Sequence, residues 1–291
     1  MRWRDGRRSD NIEDRRGMPI PRRVLVGGSG GIGVVVLLLL GMFFGFDPSE
    51  LLRGGPAVQS PSVSLPQSGG QAGRPAAEAE LKEFASVVLA DTEDVWHDLF
   101  ARSGRTYRPP RLVLFTGAVE SQCGFAQAAM GPFYCPLDNK VYLDLSFFQE
   151  LRTRFGAPGD FAQAYVVAHE VGHHVQTLLG VTQKFEEMRR RAGPTKANNL
   201  SVRLELQADC LAGVWANRAQ RARQILEPGD IEAGLNAASA IGDDRLQRRT
   251  QGYVVPDAFT HGSSDQRVRW FKRGLEQGDI GLCNTFKAER L

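Results

Sequence analysis

The chain has 291 residues, with 36 Lys and Arg against 33 Asp and Glu and a formal net charge of +3. The excess is mildly basic, and no recognition motif or aromatic-interleaved basic face accompanies it, which excludes nucleic-acid binding as the meaning of the charge. It is also uneven, since eight arginines and no lysine lie in the first 23 residues.

Residues 1–23 therefore read as a basic segment ahead of residues 24–46, an uncharged apolar run. That run is long enough to span a bilayer at about 1.5 Å per residue. Arginines before it and none within it predict a single-pass anchor with a cytoplasmic amino terminus. No small-x-small cleavage site follows, so an uncleaved anchor is preferred to a signal peptide. Residues 47–78 are rich in Pro, Gly and Ser and read as a flexible linker.

Residues 79–291 are long enough for one sizeable core, expected on the extracytoplasmic side of the membrane. A helical pattern runs from Glu78 to Arg102, with His97 as a packing or surface residue. Strands are predicted over Arg111–Thr116 and Val141–Leu145, the latter alternating polar and apolar residues. From Asp160 onward helices dominate, broken near Gly193-Pro194, Pro228-Gly229 and Val255-Pro256. Helices grouped with a small sheet give an α+β fold.

The strongest chemical signal is His169-Glu170-Val171-Gly172-His173 inside an apolar, helix-compatible run. Residues four apart share a helix face, so His169 and His173 can direct two imidazoles at one metal ion beside Glu170. His174 lies about 140° round the axis from His169 and belongs to another face. Two ligands do not hold catalytic zinc; a third is needed, with the fourth position open. Glu205 and Asp209, again one turn apart in an apolar helix, provide it. Glu205 reads as the third zinc ligand, and Asp209 as the acceptor that fixes the free ring N–H of a zinc-bound histidine. Glu186 and Glu187 lie in a run of mixed charge that reads as an exposed face.

The four cysteines, Cys123, Cys135, Cys210 and Cys283, all fall after the anchor. An even count in an oxidising compartment permits two disulfides, in any of three connectivities. Cys123–Cys135 is the favoured local closure, which leaves Cys210–Cys283 to tie the Glu205 helix to the carboxyl terminus.

The pair His-Glu-x-x-His and Glu-x-x-x-Asp resembles the metal pattern of gluzincin peptidases, and its small-residue context resembles the HtpX and CAAX-prenyl-protease group. Nearly the whole chain is similar to the bacterial neutral zinc metallopeptidase (YpfJ-like) family. The strings that carry this are Arg7 to Gly17, Gly131-Pro132-Phe133-Tyr134-Cys135-Pro136, Val141 to Phe148, and Thr260-His261-Gly262-Ser263-Ser264-Asp265-Gln266-Arg267. The resemblance implies a zincin-like domain, mostly helical with a small sheet, holding one zinc ion. It also implies that His261 donates to the oxyanion and that Arg267 pairs with Asp209. Gly262 departs from the proline usual in the HtpX-like group. In zincins an edge strand pairs with extended substrate, and Val141–Leu145 is the candidate.

The function expected is membrane-anchored, zinc-dependent hydrolysis of peptide or protein substrates, with Glu170 as general base. One alternative is a tethered binding or assembly protein with a structural or vestigial zinc site, against which an intact Glu170 argues. A zinc hydrolase acting on a non-peptide amide is the third reading.

Overall fold

The computed structural model describes residues 1–18 and 74–291. Among these, one four-stranded sheet has the order β1 (Ile12–Asp14), β2 (Arg111–Phe115), β6 (Lys140–Asp144), β5 (Phe133–Cys135). A separate hairpin joins β3 (Ala118–Ser121) to β4 (Gly124–Gln127). Every residue of β2 and β6 except the first is buried. Strands buried on both faces suit parallel pairing under helices, and here Leu112 lies opposite Val141 and Leu114 opposite Leu143 in parallel register. β5 runs antiparallel to β6 and forms one edge, β1 the other.

The helices are α1 (Arg74–Arg102), α2 (Ser146–Thr153), α3 (Asp160–Leu178), α4 (Val181–Arg190), α5 (Pro194–Arg223), α6 (Asp230–Ala240), α7 (Asp243–Gln251) and α8 (Ser264–Gln277). Local chemistry sets their ends. α5 opens on Pro194, whose missing N–H costs nothing in a first turn. α8 opens with a capping box, the Ser263 side chain accepting from Gln266 N while the Gln266 side chain accepts from Ser263 N. The core fills with large aromatics. Phe161 of α3 stacks on Trp215 of α5 with centroids 6.0 Å apart, and Tyr165 meets Phe271 of α8 edge-on at 5.0 Å. A smaller cluster, including Val113, Phe115 and Tyr142, lies beneath the hairpin.

The mostly helical α+β class holds, but the domain boundaries change at both ends of the region before it. Helix α1 already begins at Arg74, so residues 74–78 belong to the folded body and not to the linker. The amino-terminal segment changes more. β1 pairs in parallel with β2, Ile12 opposite Leu112. Trp3 is 5% exposed, packs against Phe84 with centroids 5.3 Å apart, and donates to Asp160 at the start of α3. The Met1 ammonium pairs with Glu227 at 2.9 Å and Asp230 at 3.0 Å. Arg7 reaches Glu93 and Asp94, each at 2.8 Å. The arginines of residues 1–18 thus meet carboxylates of the same body. A bilayer between this segment and residues 74–291 would break the β1–β2 pairing and separate these ion pairs. The apolar run 24–46 lies outside the described residues, among which no helix is long and apolar enough to cross a membrane.

Removing the buried indole tests this placement. Trp3→Ala is expected to destabilise the whole body by about 3–5 kcal/mol, the usual cost of emptying a large aromatic site. The thermal midpoint of the full chain reads it. An unchanged midpoint would detach the segment from the body.

Candidate metal centre

Helix α3 is buried along most of its length, which explains why its charged and polar stretch sits inside an apolar run. His169 is 6% exposed, Glu170 8%, and His173 partly exposed. Helix α5 crosses it closely, because Gly172 has no side chain: a Cβ there would lie 3.0 Å from the carbonyl oxygen of Ala208. That approach brings Glu205 to both imidazoles. Its Oε2 lies 3.1 Å from His169 Nε2 and its Oε1 3.3 Å from His173 Nε2. One ligand atom from each of the three residues lies within 4.8 Å of the others. Two imidazoles and a carboxylate are a donor set that suits catalytic zinc, with one coordination position left over.

Behind His169 stands a buried network. Its Nδ1 lies 2.8 Å from Asp209 Oδ1, so the free N–H donates there and Nε2 faces Glu205. Asp209 is fully buried and also accepts from the Tyr165 hydroxyl at 2.5 Å and from Arg267 Nε and Nη2 at 2.9 and 2.8 Å. Burial acts against the Asp209 charge, but Arg267 and His169 outweigh it and hold the carboxyl at about 2. Burial likewise acts to lower the His169 pKa, and the Asp209 charge with the Asp209 and Glu205 hydrogen bonds raises it to about 10. A metal ion at His169 would have to displace a proton. Glu205 titrates well below the usual range; burial opposes this, and His173 and His169 drive it.

Glu170 differs from its neighbours. Burial raises its pKa, the imidazoles of His169 and His173 pull it back, and Glu205 adds to the rise. A carboxyl moved up toward neutrality is a better proton acceptor and donor than an ordinary one.

His261 sits in the loop before α8 and within the electrostatic reach of Glu205. Its Nδ1 lies 3.1 Å from Oδ1 of Asp243, a fully buried carboxylate at the start of α7. The other oxygen of Asp243 accepts the backbone N–H groups of Thr260, His261 and Gly262 at 2.7, 2.6 and 3.0 Å. Asp243 thus fixes both the loop and the ring. Burial acts to lower the His261 pKa, but Asp243 and Glu205 outweigh it and the value is raised. Gly262 has φ +94, which a proline ring locked near −65° could not adopt. The departure at that position follows from the loop's geometry.

An imidazolium that stabilises an oxyanion is active below its pKa. Because Asp243 raises that pKa, it keeps the ring charged to higher pH. Asp243→Asn is expected to move the alkaline limb of the kcat/KM profile for a peptide substrate to lower pH. A limb that stays in place would sever His261 from the reaction.

The remaining site residues fall as follows. His174 faces away from the metal ligands, with Nε2 donating to the Arg108 carbonyl at 2.7 Å and Nδ1 facing the Tyr134 hydroxyl at 3.1 Å. Burial lowers its pKa to about 4, so it stays neutral. The candidate substrate strand is corrected in its first part: Val141–Leu145 falls largely in β6, which β2 pairs over Lys140–Asp144 and β5 pairs over Lys140–Tyr142. The edge beside the metal helix belongs to β5, which lies against α3; β1 forms the opposite edge. Both disulfides join the favoured partners, Cys123–Cys135 and Cys210–Cys283. Sequence reasoning passed over Tyr165, which lies four residues before His169 on its face and was detectable by that spacing. Asp243 had no such signal, being 18 residues from His261 on another element.

A helix bearing His-Glu-x-x-His across from a carboxylate of a second helix, backed by a buried Asp–Arg pair, is a donor arrangement that could hold a metal ion. The family model described as "Putative neutral zinc metallopeptidase" matches residues 1–286, and the chain belongs to that family. It is 48% identical to YpfJ of Escherichia coli (strain K12) over 292 residues, covering 98% of this chain and 99% of that protein. It is 41% identical to Rv2575 of Mycobacterium tuberculosis (strain ATCC 25618 / H37Rv) over 266 residues, covering 86% of each. No solved structure matches.

Proposed function

We propose that the protein hydrolyses peptide bonds at a single zinc centre held by His169, His173 and Glu205. The observation that carries this reading is the convergence of those three ligand atoms within 4.8 Å, with Glu170 buried on the same helix. When bound there, zinc would polarise the scissile carbonyl and lower the pKa of water at the site.

The chain's own groups account for the rest. Glu170 takes a proton from the attacking water and passes it to the leaving amine. His261, held by Asp243, donates toward the oxyanion of the tetrahedral intermediate. Asp209 and Arg267 hold His169 in the tautomer that leaves Nε2 free. Edge strand β5 offers unpaired backbone groups beside α3 for an extended peptide. A structural zinc site is closed by four protein ligands; among the described residues three such donors come together, which favours the catalytic reading over a binding protein.

Two disulfides support an oxidising, extracytoplasmic location. Any membrane attachment through residues 24–46 has to leave residues 18 and 74 on the same side, because both belong to one body.

The test uses the full chain and a mixture of unstructured peptides, with new termini identified by mass spectrometry. Cleavage that a chelator abolishes and added zinc restores is the expected result. Cleavage indifferent to metal removal would overturn the proposal.

A further inference from the structure

His169 has a carboxylate behind it, but His173 has an amide, and an amide can present either a donor or an acceptor. Two fixed acceptors decide which. Gln176 is fully buried, and its Nε2 donates to the Leu204 carbonyl at 2.7 Å and to Gln207 Oε1 at 3.1 Å. Gln207 in turn donates through Nε2 to the Cys283 carbonyl at 2.9 Å. Backbone carbonyls accept and never donate, so each amide must turn its nitrogen toward its carbonyl. Reversing Gln176 would set its oxygen against two other oxygens in a site closed to water.

The Gln176 oxygen is thereby left facing His173 Nδ1 at 2.9 Å. An amide oxygen only accepts, so Nδ1 carries a hydrogen, which leaves Nε2, the nitrogen facing Glu205 at 3.3 Å, as the one free to give its lone pair to a metal. We infer that Gln176 and Gln207 are positioning residues of the metal centre, setting the tautomer and orientation of His173 from the carbonyls of Leu204 and Cys283. The anchor at Cys283 belongs to the 3-10 turn Ile280–Cys283, which the Cys210–Cys283 disulfide and the Thr285 hydroxyl, donating to the Arg203 carbonyl at 2.6 Å, hold against α5. The carboxyl-terminal turn thus supports a metal ligand on α3 through two side chains. This inference deepens the zinc-centre reading and rests on it only for what His173 binds.

Two measurements on the full chain test it. In the metal-free protein, nitrogen NMR of the histidine rings should show a hydrogen on His173 Nδ1. An Nδ1 without a hydrogen overturns the inference whether or not the centre binds zinc. Zinc affinity is then read by chelator competition. Gln176→Leu is expected to weaken it about 10- to 100-fold, the usual effect of losing a ligand's outer partner. Gln207→Leu should lose less, because the Leu204 carbonyl alone still orients Gln176. If folded Gln176→Leu, or Gln207→Leu should the first fail to fold, binds zinc like the parent with an unrestrained His173 ring, the inference fails. A failure of the zinc-centre reading would show differently, as undiminished zinc binding by Glu205→Ala.

Discussion

Glu170→Gln is expected to lower kcat/KM for peptide hydrolysis by about 10²- to 10⁴-fold, the range general-base catalysis supplies, while zinc content stays at the parent level. The amide has nearly the shape of the carboxyl, so the 8% exposed site on α3 remains filled. What it lacks is the ability to take a proton. Glu170 is also outside the three converging ligand atoms, so its loss leaves the donor set intact. The two readouts separate cleanly. Loss of zinc together with activity would make Glu170 a ligand, and unchanged turnover would remove it from the chemistry.

The second large effect is on folding. Gly274→Ala is expected to destabilise the protein by more than the ~1–3 kcal/mol usual for overpacking a core. The new Cβ would lie 1.9 Å from the carbonyl oxygen of Cys210 and 2.8 Å from Val214 N, both backbone atoms that cannot rotate away. Gly213 makes the reciprocal approach, with Phe271 O at 2.1 Å from its added Cβ. Helices α5 and α8 therefore cross backbone to backbone. That crossing is what carries Arg267 to Asp209. Relaxing it by axial separation would stretch contacts of 2.8 and 2.9 Å and leave Asp209 buried with less compensation. Thermal or denaturant unfolding reads the loss, and a midpoint like the parent's would show that the helices do not meet as described.

The parts of this centre written in local spacing were legible in the sequence. His169 and His173, and Glu205 and Asp209, are each one helical turn apart, and one face carries each pair wherever the helix lies. Arg267 and His261 came only through resemblance, because a loop and a capping box stand between their spacing and their positions. Gln176 follows His173 by three residues, yet its meaning depends on carbonyls from α5 and the carboxyl-terminal turn. The edge strand was misplaced because β6 alternates like a half-exposed strand, whereas Val141 and Leu143 join the main core on one face and Tyr142 the smaller cluster on the other, with β5 paired over Lys140–Tyr142. The amino-terminal arginines likewise have a role that only packing reveals. Ahead of an apolar run they look like a topology signal, but Arg7 at Glu93 and Arg16 at Asp14 are partners within one folded body.

The zinc content of the purified full chain, compared with Glu205→Ala after identical dialysis, tests the metal centre most directly. One zinc per parent chain, bound by two imidazoles and a carboxylate in X-ray absorption, and none retained by Glu205→Ala, is the predicted result. A parent chain without zinc, or a Glu205→Ala variant that retains it equally, would contradict the centre described here.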